Sequence, residues 1–177
     1  MKQDEIIMRL GQNHSSFIDL IYSLDDVQFV QSRQNKWSAI QQLEHIYLSI
    51  KPLTQALQLP PFLLGILFGK ARRLSRSYDT IVEKYIDKLA NGAKATKKYT
   101  PAIVAGSKKD DLVKKLQHAL HKLTSLIKKF KEEELDSIVL PHPLLGKLTL
   151  REMLYFTAYH VKHHEAGLRK TLGIQIV

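Results

Sequence analysis

The chain has 177 residues, 44% hydrophobic and 25% charged, the balance of one folded domain with its own core and not of a disordered or fibrous chain. Cysteine is absent, which excludes disulfides, iron–sulfur clusters, thiolate zinc sites and a cysteine nucleophile, so a metal here must be held by His, Asp or Glu. The net charge of +10 is concentrated, because residues 84 to 131 hold thirteen Lys against Asp87, Asp110 and Asp111 while the remainder is balanced.

The start, Met1-Lys2-Gln3-Asp4-Glu5, turns acidic before any apolar run, unlike a secretory signal, and a cytoplasmic location is expected. Ile6, Ile7, Leu10, His14, Phe17, Ile18, Ile21 and Leu24 then recur at helical spacing and predict a first amphipathic helix over about 3–24, ended by Asp25-Asp26. Ser38-Ala39-Ile40-Gln41 fits a capping box for a second helix over about 38–58, with Ile40, Leu43, Tyr47, Ile50 and Leu57 on one stripe and Pro60-Pro61 closing it.

Residues 60–106 form the least regular stretch. Its apolar run Pro61 to Phe68 is followed by Lys70, Arg72, Arg73 and Arg76, a combination able to touch an anionic lipid surface; a buried connection between helices is the expected fate, and no span is long enough to cross a membrane. A short helix over Tyr78–Leu89, an Asn91-Gly92 turn and a Lys-rich run complete this long crossover. Ser107-Lys108-Lys109-Asp110 starts a third helix over about 107–131, carrying Leu112, Leu116, Ala119, Leu123, Ile127 and Phe130 on one face and fading at Glu132-Glu133-Glu134. Pro141 to Gly146 reads as a rigid loop, and Thr149-Leu150-Arg151-Glu152 caps a fourth helix over about 149–172, stopped by Gly173. With no convincing strand and no repeat or linker, the expectation is an all-α four-helix bundle over residues 1–177 as a single domain.

Of the eight His, His118 and His121 fall far from the apolar stripe of the third helix and are expected in solvent. His160 and His164 lie about 40° apart around the fourth helix, sharing a face, so both can point at one ion; His163 points elsewhere. The metalloprotease helix motif is absent because position 161 is Val and not Glu. Two histidines hydrogen-bonded within a helix interface is the alternative reading. His14 sits on the apolar face of the first helix as a ligand, a donor behind a ligand or a satisfied core residue. His45 lies about 150° from the main stripe of its helix, which by periodicity alone leaves it near solvent. His142, between two prolines, either covers the mouth of a site or is a loop residue.

The run from Lys36-Trp37-Ser38 through Glu44-His45-Ile46 resembles the second-helix motif of the DinB-like superfamily, in which a Trp-Ser/Thr helix start precedes a metal-binding His by eight residues. His142-Pro143-Leu144-Leu145-Gly146 through Met153-Leu154, followed by Tyr159-His160-Val161-Lys162-His163-His164, resembles the final helix of that family and its preceding loop. The resemblance covers about residues 35–58 and 140–172. It implies a four-helix bundle holding a divalent ion, nickel or zinc, through three His, as in YfiT-type metal-dependent hydrolases and bacillithiol S-transferases. Carried over, the ligands are His45, His160 and His164, which sets aside the periodicity reading of His45, since a bundle helix touches two neighbours. The implied activity is hydrolysis or thiol S-transfer on a small molecule, anionic or a thiol, drawn by the Lys-rich segment; no catalytic residue is identified.

Two other readings remain. One is a non-catalytic basic module for nucleic acid or an acidic partner, although residues 84–131 contain no Arg and few aromatics to read bases, so nucleic acid is not the expected partner. The other is a bundle in which a metal only staples two helices. A homodimer through an apolar helix face is compatible with all three.

Overall fold

The computed structural model describes residues 1–32, 36–101 and 109–174. Within them the helices run α1 (Gln3–Ser23), α2 (Asp26–Val30), α3 (Ala39–Ala56), α4 (Pro61–Phe68), α5 (Tyr78–Ala90), α6 (Lys109–Ile127), α7 (Glu132–Ser137) and α8 (Leu150–Leu172), with a 3-10 turn at Lys97–Tyr99. The long helices α1, α3, α6 and α8 are the expected four-helix bundle. Helix α3 packs on α6 and α1 on α8, and contacts of α1 with α6 and of α3 with α8 close the ring. Their apolar stripes meet inside it, where Phe17, Ile21, Ile46, Ile50, Leu116, Leu123 and Val161 are buried, each large side chain contributing roughly 1.5–3 kcal/mol against exposure.

The first helix stops just before the acidic pair, but the pair does not end it: α1 ends at Ser23, and Asp25 instead opens α2, its carboxylate accepting the Gln28 backbone N–H at 2.8 Å. An Asp beside free N–H groups favours a helix start over a stop. Helix α3 begins where the capping box places it, Gln41 Oε1 accepting the Ser38 backbone N–H at 3.0 Å. Ser107, expected to open the third helix, lies outside the described residues; α6 ends at Ile127, and the acidic run becomes the first turn of α7, where its carboxylates face the positive end of the helix.

Two expectations need correction. The run Pro61 to Phe68 is a surface helix and not a buried connection: only Leu64 is fully buried, while Phe62, Ile66 and Leu67 are more than half exposed. The stretch read as a rigid loop without strands is an antiparallel hairpin, β1 (Val139–His142) paired with β2 (Gly146–Thr149), in which His142 faces Gly146 and Val139 faces Thr149. Gly146 at φ 72° supplies the left-handed residue that the turn requires. Pairing satisfies backbone groups that pass beside the core, and the hairpin also anchors the crossover, since Ala71 N–H donates to the Ser137 carbonyl at 2.7 Å and Val139 N–H to that of Gly69 at 3.3 Å.

The crossover is held most firmly by a carboxylate from α8. Glu152 completes the Thr149 capping box and, fully buried, also accepts from the Arg73 guanidinium at 2.6 and 2.7 Å, from the Arg76 guanidinium at 2.9 and 3.1 Å and from the Arg76 backbone N–H at 2.7 Å. Burial alone pushes its carboxyl pKa up, but these donors outweigh it and hold the group far below the usual carboxylate range. This clamp sets α5 against α8. Neighbouring Arg151 binds Asp136 at 2.6 Å and Glu132 at 2.5 Å, fixing α7 to the same helix. The described lysines between 84 and 131 stand in solvent, except half-buried Lys109. No described helix is long and apolar enough to cross a membrane.

Candidate metal centre

His160 and His164 stand one turn apart on α8, as their spacing predicts, and His45 reaches them from α3. Its helix has two inward faces, one against α6 and one against α8, so the residue that periodicity leaves near solvent is buried beside the other two. The His160 Nε2 lies 3.2 Å from His45 Nε2 and 3.1 Å from His164 Nε2. One ligand atom from each ring falls within 4.8 Å of the others.

The outer edges of the rings are tied down. His45 Nδ1–H donates to the Tyr99 backbone carbonyl at 2.7 Å, and His164 Nδ1–H donates to Gln42 Oε1 at 3.2 Å, Gln42 being oriented by its own donation to the Trp37 carbonyl at 3.1 Å. These bonds leave the Nε2 of His45 and His164 as lone pairs directed inward, so at most one proton, on His160, sits among three converging nitrogens. Burial lowers the pKa of all three, for His160 with added repulsion from His164 and His45, keeping the imidazoles neutral. A cation at the centre satisfies all three lone pairs together. Metal–nitrogen bonds of about 2.0–2.1 Å in tetrahedral geometry separate ligand nitrogens by about 3.3–3.4 Å, close to the spacing here. The Trp37 ring packs on His45 at a centroid distance of 4.9 Å and stacks on His164 at 6.5 Å, and Phe156 stacks on His160 at 4.9 Å.

The cluster opens on a cavity of about 400 Å³ that runs between α3, α8, the hairpin and the crossover, lined by Ile50, Leu53, Phe68, Leu140, Met153 and Phe156 among other apolar groups. Among the described residues, Lys98 is the one lysine on its wall. Tyr85 from α5 also lines it, edge-on to His160 and His163, and burial raises its phenol pKa, so the O–H stays protonated. Sequence reasoning missed Tyr85, although Ile81 and Tyr85, four residues apart, are the buried stripe of the short helix it did predict.

His14 and His142 line the same cavity and do not join the three-His group. His142, which ends β1, has its Nδ1 accepting the backbone N–H groups of Leu144 and Leu145 at 3.2 and 3.1 Å, leaving Nε2–H as a donor. His14 Nδ1–H donates to the Leu10 carbonyl at 2.8 Å, while its buried Nε2 has no partner. His118 and His121 are exposed, as expected.

Burial lowers the pKa of His14 to about 4, below the value of about 6.5 in an unfolded chain. The unfolded state takes up the proton first, so this contribution to stability is complete above pH 6.5 and declines as the pH falls toward 4. A shift of that size corresponds to about 3 kcal/mol. The His14→Phe variant is expected to lose that much less stability than the wild type between pH 6.5 and 4, measured by urea unfolding; parallel curves over this window would contradict it.

Residues 9–166 match the DinB superfamily. Among solved structures, the chain is similar to one described as "Crystal structure of TT2238, a four-helix bundle protein", with a TM-score of 0.60 at 16% identity over 96% of this chain and 99% of the other, a likeness in fold. No curated protein matches the chain.

Proposed function

The chain belongs to the DinB superfamily, and from that premise we propose that it is a metal-dependent enzyme, a hydrolase or a low-molecular-weight thiol S-transferase, with His45, His160 and His164 as the ligands of a divalent ion, nickel or zinc. The observation that carries this reading is the convergence of three inward Nε2 atoms on the wall of an apolar cavity. Three neutral imidazoles leave a position open, where a bound ion makes water more acidic or holds a thiol as thiolate. The protein's own groups do the rest. Tyr99 and Gln42 fix which ring nitrogen faces inward, as partners behind metal ligands generally do. Trp37 and Phe156 pack on the imidazoles and keep water from their outer faces. The Tyr85 phenol and the His142 Nε2–H remain protonated and face the cavity, where they can donate to a substrate oxygen. An anionic substrate would meet Lys98 on the wall, and the exposed lysines of α5 and α6 would favour its approach.

Replacing the native ion by cobalt(II) tests the open position. Adding a small thiol, or an anion such as azide, is expected to change the visible spectrum of the loaded protein, with a thiolate-to-cobalt band for the thiol. Spectra indifferent to both would mean a closed site and a metal that only joins α3 to α8.

A further inference from the structure

His14 is buried completely, yet one of its two ring nitrogens is left over. Its Nδ1–H is committed to the Leu10 carbonyl on its own helix, so Nε2 carries a buried lone pair without a partner, on a residue that lines the cavity. Buried acceptors without a partner are rare and costly. A core position facing apolar neighbours would be served as well by Phe or Leu. The groups around it define what it can receive. The surface of the cavity is mainly apolar, although six His and Lys98 also line it, and its volume of about 400 Å³ suits a small organic molecule.

We infer that this cavity selects a mainly apolar molecule bearing a hydroxyl or N–H group, and that His14 Nε2 is the residue that recognises it by accepting that hydrogen. The inference rests on the cavity being the substrate pocket of the proposed enzyme, and names the substrate chemistry. A ligand lacking the donor leaves the imidazole lone pair buried and unanswered, so discrimination is expected to be about ten- to a hundred-fold. Protonation of His14 would convert the acceptor into a donor. Its lowered pKa keeps it an acceptor throughout the neutral range.

The test uses an isosteric pair, 2-naphthol and 2-methylnaphthalene, which differ by a hydroxyl in place of a methyl. Binding of each is measured by calorimetry to the full chain, chelator-stripped and then zinc-loaded, in the wild type and in the His14→Phe and His14→Leu variants. The expected result is at least ten-fold preference for the naphthol in both stripped and loaded wild type, lost in the variant proteins, with the methyl compound bound as well or better. In parallel, the ¹⁵N resonance of the unprotonated His14 nitrogen is expected to shift on adding naphthol and not on adding its methyl analogue, which requires no variant. Preference present only in the zinc-loaded protein would assign it to the metal and overturn the role of His14 while leaving the metal reading intact. Preference retained in the variants, no preference in the wild type, or no binding of either compound would overturn the inference. A wild type that shows the preference but takes up no zinc would leave His14 recognition standing and remove the enzyme.

Discussion

His160→Ala is expected to reduce bound divalent metal in the purified protein from near one equivalent to a trace. Its Nε2 lies within 3.2 Å of both partner nitrogens, so this ring is shared by each pairwise contact of the cluster. Four-ligand zinc sites bind with about 10–16 kcal/mol, or roughly 3–4 kcal/mol per ligand, and loss of one imidazole corresponds to about a hundred- to a thousand-fold in affinity. The His164→Ala variant should fall equally far. Gln42→Leu, which removes only the acceptor of His164 Nδ1–H, should lose about ten- to a hundred-fold, the usual effect of a group behind a ligand. Plasma emission analysis after dialysis, with competition against a coloured chelator, reads all of these. Equal metal in wild type, His160→Ala and His164→Ala would remove the metal from the proposed function.

The second large effect concerns a residue remote from that cluster. Glu152→Gln is expected to destabilise the fold by about 3 kcal/mol, toward the lower end for breaking a buried ion pair because Arg73 is partly in solvent. For a chain of this size that is a fall of about 6–12 °C in the melting temperature. The substitution keeps the shape of the side chain but leaves the two guanidiniums without their counter-charge, and one amide cannot accept the five arginine hydrogen bonds that the carboxylate now receives. Arg73→Gln should cost much less, since Arg76 and the capping box remain. Because this clamp fixes the crossover that delivers Tyr85, weaker docking of α5 is expected as well, visible as faster amide exchange over residues 78–90 than over α1. A loss below about 1 kcal/mol would mean that solvent replaces the pair at little cost.

The four long helices are legible because each carries an apolar stripe over several turns, and α3 and α8 open on a recognisable cap. His160 and His164 were legible for the same local reason, four residues on one helix. His45 was not legible from periodicity, which measures one face of a helix and is blind to a second; the Trp37-Ser38 motif supplied what the pattern could not. Tyr85 and the Tyr99 carbonyl were hidden for a different reason. They reach the cluster through the crossover, and its path is decided by pairings between Arg73, Arg76 and Glu152 that are distant in sequence. The hairpin is not legible because four-residue strands with two prolines between Val139 and Pro143 show no alternation: Val139, Leu140 and His142 are all buried. Helix α4 is not legible as a surface helix because hydrophobicity alone does not say whether an apolar segment lies under or on the surface.

The contact between His45 and Tyr99 is made with main chain and not with a phenol. Amino-acid exchange at position 99 therefore leaves the acceptor in being, and an alanine there alters the cavity wall while keeping the bond that orients His45. What aims this imidazole is the course of the polypeptide through the 3-10 turn at 97–99, so relatives can diverge freely in side chain there and still share the orientation. Deletions or insertions in that turn, and not point changes, are the lesions to which the ring is vulnerable.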